Sequence, residues 1–117
     1  MERSLRDENY CYLTTTGRIS GKPREIEIWF AVDGNTIYML SGGRDRSNWV
    51  NNLIREPRVR LRIRDRVWDG RARVIEDAGA SARARELLFT KYAPRYSGDL
   101  SAWRTSALPI AVDLESA

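Results

Sequence analysis

The chain has 117 residues, 42% hydrophobic and 31% charged, with a net charge of +4, so it suits one domain over residues 1–117 and prefers anionic partners. A single cysteine and zero histidines exclude an internal disulfide, a thiolate metal cluster and a histidine-ligated zinc. They also exclude any Ser-His-Asp or Cys-His constellation, so an enzyme of this composition leaves its difficult chemistry to a cofactor.

The first residues, MERSLRDENY, lack the apolar segment of a secretory signal, and no apolar run approaches the roughly 20 residues of a membrane span. A cytoplasmic location is expected. Asn9 to Thr16, rich in Tyr and Thr and closed by Gly17, reads as a first strand. From Arg24 to Val32 the alternation places Ile26, Ile28, Phe30 and Val32 on one face and Glu25, Glu27 and Trp29 on the other, which predicts a second. Asp33-Gly34 is a hairpin signal, and Thr36 to Leu40 returns as a third strand.

The period then changes. Trp49, Val50, Leu53 and Ile54 share one side of a helix that Ser47 can cap and that Pro57 ends. Residues 58–64 alternate apolar residues with four arginines, and a further strand runs from Arg66 to Ile75. Asp77 is a capping residue for a helix over 79–92 with Ala84, Leu87 and Leu88 inward. Pro94 and Gly98 mark a loop, and Ala107 to Glu115 reads as the last strand. The expected fold is α+β, mainly β: about six antiparallel strands with two or three helices, the sheet closing into a barrel.

Three stretches carry candidate chemistry. Residues 17–24, GRISGKPR, join two glycines and a serine to Arg18, Lys22 and Arg24, groups suited to phosphate or carboxylate; the plainer reading is a solvated loop. Ser41, Gly42 and Gly43 precede a helix start, with Arg44 and Arg46 adding charge, where free backbone N–H groups attract an anion; an ordinary strand-to-helix turn also accounts for them. The row Arg58, Arg60, Arg62 and Arg64 could track a nucleic-acid backbone, but acidic residues at 25, 27, 65 and 69 are available partners and no base-stacking motif accompanies it. Tyr92, Tyr96 and Trp103 flank the Pro94 to Gly98 loop and suit either a pocket mouth or the core, and Trp29 suits a flat ligand or an interface. Cys11 reads as an inert packed thiol.

Taken together, L-T-T-T-G-R-x-S-G-K-P-R from Leu13 to Arg24, S-G-G at 41–43, N-W-x-x-N-L from Asn48 to Leu53 and the closing L-P-I-A-V resemble the deazaflavin-dependent nitroreductase and quinone reductase family, of split β-barrel fold. The resemblance runs from about Tyr10 to Glu115. It implies an 8-hydroxy-5-deazaflavin nucleotide, with FMN as the alternative, whose phosphate and acidic tail are served by Arg18, Ser20, Lys22, Arg24, Ser41, Gly42, Gly43 and Arg44. Asn48, Trp49 and Asn52 match positions near the cofactor, and Trp29, Tyr92 and Tyr96 match the substrate pocket. The implied reaction is hydride transfer to a quinone, nitro compound or activated alkene, with a proton from Tyr or water. A homodimer is also implied as compatible with the fold. The chain departs from the family pattern at Ile19, where lysine is frequent, and at Glu27, where proline is frequent. A non-catalytic barrel for a fatty acid or haem-like ligand, and a nucleic-acid-binding barrel, are the competing readings.

Overall fold

The computed structural model describes residues 1–115. Seven strands, β1 (Cys11–Thr16), β2 (Pro23–Ile28), β3 (Ala31–Asp33), β4 (Thr36–Ser41), β5 (Arg58–Ile63), β6 (Arg66–Val74) and β7 (Leu108–Leu114), form one antiparallel sheet. Its order is β2-β1-β5-β6-β7-β4-β3. Four helices accompany it: α1 (Arg3–Arg6), α2 (Asn48–Arg55), α3 (Ala78–Tyr92) and α4 (Ser101–Ser106).

The two edge strands, β2 and β3, are consecutive in sequence and separated only by Trp29 and Phe30. The sheet therefore curls until its edges adjoin but do not pair, which leaves a barrel split along one seam. This corrects the expected single strand over 24–32. The reason lies in Phe30, whose N–H donates to the Tyr92 hydroxyl at 2.9 Å and whose carbonyl accepts from Lys91 Nζ at 2.9 Å. With its peptide groups held by α3, Phe30 has no need of a strand neighbour. Ile26, Ile28, Phe30 and Val32 nevertheless all pack with the barrel interior, so the alternation survives the break.

Inside the barrel, Cys11, Leu13, Ile37, Met39, Leu61, Ile63, Ile110 and Val112 are fully buried, and α2 inserts Val50 and Leu53 among them. Each such side chain contributes roughly 1.5 to 3 kcal/mol through removal from water. Ile54, expected on the same stripe, is instead 56% exposed, because the inward face of α2 carries Asn52 in its place. A second cluster forms outside the sheet, where Ala84, Leu88 and Tyr92 of α3 and Leu100 before α4 cover Tyr38, Leu40 and Ala111 of β4 and β7. Asp77 caps α3, accepting the Ala80 N–H at 2.7 Å. Helix α4 falls where the sequence shows only a loop. Asp99 accepts the Ser101 N–H and hydroxyl at its start.

The opposite outer face, on β2, β1, β5 and β6, has no helix over it. It carries Glu25, Glu27, Tyr12, Arg60, Arg62 and Asp69 in cross-strand register.

Candidate functional site

The connection from β1 to β2 is a compact basic loop. Gly17 N–H donates to Lys22 O and Gly21 N–H to Gly17 O, both at 2.8 Å, and Gly21 sits at φ +72°, a left-handed conformation that glycine takes without strain. Ser20 is the hub of the loop: its Oγ accepts the Lys22 N–H at 3.1 Å and Arg24 Nη2 at 3.3 Å. With both lone pairs engaged, the Ser20 hydroxyl proton is left to donate outward.

The loop is tied to the start of α2. Arg18 donates from its backbone N–H and from Nη1 to Asn52 Oδ1 at 3.1 and 3.0 Å. Its Nη2 reaches Asn48 Oδ1 at 3.2 Å and its Nη1 the Asn48 carbonyl at 3.4 Å. The glycine-bearing loop reaches the same helix end from the other side. Ser41 Oγ lies 2.9 Å from Ser47 Oγ, and Ser47 stands immediately before Asn48. A side chain on Gly43 would collide with Ser47 Oγ, at 2.5 Å from the added Cβ, so that turn requires glycine for close approach. Both loops thus converge on the N-terminus of α2.

Between the basic loop, β2 and α2 lies a cleft of about 540 Å³. Arg18, Ser20, Arg24, Asn48, Trp49 and Asn52 line it, six of the residues the sequence singles out, together with Ile19, Glu25 and Ile26, which it did not place in the site. Lys22 is exposed on the same loop without lining the cleft, and Ser41, Gly42 and Gly43 do not line it either. Arg44 is turned away, its guanidinium donating to the Ser106 carbonyl at the end of α4.

Three cations are concentrated on this one short loop. Among the described residues seven ion pairs form, including Arg60–Asp69, Arg62–Glu25 and Arg64–Glu8, yet Arg18, Lys22 and Arg24 enter none. Their positive charge is balanced by no carboxylate. That donor set, two planar guanidinium groups, an ammonium and a hydroxyl, fits the oxygens of a phosphate. The arginine row, by contrast, is largely paired with acids, as the plainer reading of it requires.

The aromatic residues assemble elsewhere, around Trp29 beyond the end of β2. Trp29, just past β2, stacks on Tyr92 with ring centroids 4.3 Å apart and planes 2° from parallel. Tyr96 and Trp103 meet it edge-on at 5.7 and 5.5 Å. Tyr92 is 1% exposed, and its hydroxyl both accepts from Phe30 N–H and faces the Asn9 carbonyl at 2.8 Å. Burial raises its pKa well above the ordinary tyrosine value, and the ring expected at the pocket packs inside the fold beneath Trp29. Tyr96 is 47% exposed, and its ring lies so close to Gly98 that a Cβ there would sit 2.6 Å from it.

Buried Cys11 and half-buried Lys91 have no part in the cleft. Burial pushes the Cys11 thiol up to about 12, consistent with an inert side chain. Burial, and then the nearby Arg95, push Lys91 down to about 8.

A curled antiparallel sheet split between two consecutive strands, plugged by a helix and rimmed by a basic loop, defines the FMN-binding type of split β-barrel. The model of the F420H(2)-dependent quinone reductase family matches residues 2–115, and the chain belongs to that family. It is an oxidoreductase that uses the deazaflavin coenzyme, which sets aside FMN and the non-catalytic barrel. Solved structures agree on the fold. The conserved hypothetical protein Rv2991 from Mycobacterium tuberculosis is 19% identical with a TM-score of 0.77, over 99% of this chain and 82% of that one. An F420-H2 dependent reductase, FDR-A, is 24% identical with a TM-score of 0.69, over 90% and 94%. A protein described as a domain-swapped dimer is 24% identical with a TM-score of 0.70, over 91% and 81%.

Proposed function

We propose that the cleft between the basic loop, β2 and α2 holds the phosphate of the deazaflavin through Arg18, Ser20 and Arg24, and that Lys22, exposed on the same loop outside the cleft, meets the acidic tail. Ser41 to Gly43 support the helix start against which they bind. The observation that carries this reading is the convergence of Arg18, Ser20 and Arg24 on one cleft at the start of α2, with Arg18 and Arg24 held there by neutral oxygens.

The bound coenzyme supplies a hydride to an electron-poor acceptor, a quinone, nitro compound or activated alkene. The chain's own contribution is to anchor the charged end, to offer Trp49 and Ile26 as apolar wall, and to present Trp29, Tyr96 and Trp103 as flat surfaces for an acceptor. Tyr92 fixes the position of Trp29 by stacking. With the Tyr92 hydroxyl engaged inside the fold, the proton the product needs comes from Tyr96 or water.

Two glutamates stand near this path, Glu25 in the cleft wall and Glu27 two residues further along β2, and each has a partner. Glu27 accepts from the Tyr12 hydroxyl at 2.8 Å, and Glu25 lies 3.8 Å from Arg62, which moderates their repulsion of an anionic ring. No described helix is long and apolar enough to cross a membrane, and a cytoplasmic location remains part of the proposal. So does a homodimer, which the helix-free face of β2, β1, β5 and β6 and the domain-swapped relative favour.

Titration of the protein with the deazaflavin coenzyme, followed by Trp fluorescence, tests the assignment. Lys22→Ala and Arg24→Ala should each weaken binding by about tenfold or more, as loss of a charge-assisted hydrogen bond requires. Unchanged affinity in both variants would overturn it.

A further inference from the structure

Of the polar side chains that line the cleft, Asn52 alone is buried, at 4% exposure. Its polar atoms are occupied within the protein. Oδ1 takes both the backbone N–H and Nη1 of Arg18, and Nδ2 donates to Thr15 Oγ1 at 3.2 Å, with Thr15 itself 1% exposed. This pattern fixes the orientation of the amide, since the reverse would set its NH2 group against two Arg18 donors. Both acceptor positions of Oδ1 are filled, so a ligand finds no acceptor there. What Asn52 does is join β1, α2 and the basic loop through one amide.

The character of the acceptors matters as much as their number. Arg18 makes four hydrogen bonds to Asn48 and Asn52, and every acceptor oxygen is neutral. A carboxylate in either position would orient the guanidinium as well and would also cancel its charge. Neutral amides orient it and leave the full positive charge directed at the cleft.

We infer that Asn52 is a positioning residue for anion binding: it preorganises Arg18 through uncharged acceptors, so that the guanidinium meets a phosphate already oriented and still carrying its charge. This rests on the reading that the cleft takes the phosphate of the deazaflavin. It adds that the asparagine acts through Arg18 and not on the ligand.

A double-mutant cycle over Arg18→Ala and Asn52→Ala tests it, with the deazaflavin coenzyme and inorganic pyrophosphate as separate probes. Asn52→Ala should weaken both probes about tenfold when Arg18 is present and less than about twofold when Arg18 is already alanine. An equal loss in both backgrounds would overturn the inference, leaving the cofactor assignment of Lys22 and Arg24 intact. Asn52→Asp, the second variant, keeps the shape and the hold on Arg18 but cancels its charge, and should lose as much affinity as Arg18→Ala. Parental affinity in Asn52→Asp would contradict it. The third arm needs no ligand: NMR of the Arg18 guanidinium should show restricted rotation in the parent and free rotation in Asn52→Ala, and identical signals would refute the mechanism. If the parent binds neither probe, the cleft assignment fails on its own, whatever the NMR arm returns.

Discussion

The loop over 17–24 and strand β5 are both strongly cationic, and they use that charge in opposite ways. On β5, Arg60 stands across from Asp69 of β6, Arg62 reaches past β1 to Glu25 of β2, and Arg64 just beyond reaches Glu8, so the row is largely neutralised where it sits. On the loop, Arg18 is held by neutral oxygens, Arg24 by a serine hydroxyl, and Lys22 makes no ion pair among the described residues. Counting positive residues does not separate the two. Asking what faces each charge does: acids face most of the row, and neutral oxygens face the arginines of the loop.

The same contrast between groups engaged inside the fold and groups left for a ligand orders the expected effects of mutation. The largest falls on stability. Tyr92→Phe strips the partner from the buried Phe30 N–H and should cost about 2 kcal/mol, measured by denaturant unfolding, since an unsatisfied buried donor costs roughly 1 to 3 kcal/mol. An unfolding midpoint equal to that of the parent would show that the seam between β2 and β3 is held by something else. Next, Ile19→Glu gives the loop the acid it lacks, at a site 92% exposed beside Arg18. It should weaken the coenzyme by about tenfold, a cost of roughly 1 to 2 kcal/mol for a like charge near the bound anion, with stability unchanged. Retention of full affinity would mean that charge in this loop is irrelevant to binding. The smallest effect belongs to the row: the Arg60→Ala/Arg62→Ala double variant should bind the coenzyme as the parent does and lose at most about 1 kcal/mol of stability, because exposed pairs contribute little. A clear loss of cofactor affinity there would erase the distinction between the two regions.

Much of this was legible in the sequence, and the parts that were not share a cause. Alternation over Ile26 to Val32, the Asp77 cap and the glycine-serine-cation loop are local patterns, and each stands where the sequence puts it. The break at Trp29-Phe30 was invisible, because one strand and two strands facing a common core show the same alternation, and the group that ends β2 is Tyr92, 62 residues away from Phe30. Arg44 looked equivalent to its neighbours until its guanidinium was seen at the Ser106 carbonyl. Asn52 matched a cofactor position by motif, yet its role follows from Arg18 and Thr15, 34 and 37 residues distant. Helix α4 is six residues long, too short for periodicity to declare it. Local chemistry announces itself locally; a side chain assigned by a distant partner does not.

The central claim is that uncompensated cations at the rim of α2 grip the charged end of the coenzyme. The most direct measurement compares the unmodified protein's affinity for the deazaflavin coenzyme with its affinity for the dephosphorylated analogue that lacks phosphate and acidic tail, at low and at high ionic strength. The account predicts that the full coenzyme binds at least about a hundredfold tighter at low salt, and that the gap narrows as salt screens the loop. Equal affinity for the two compounds, insensitive to salt, would contradict it.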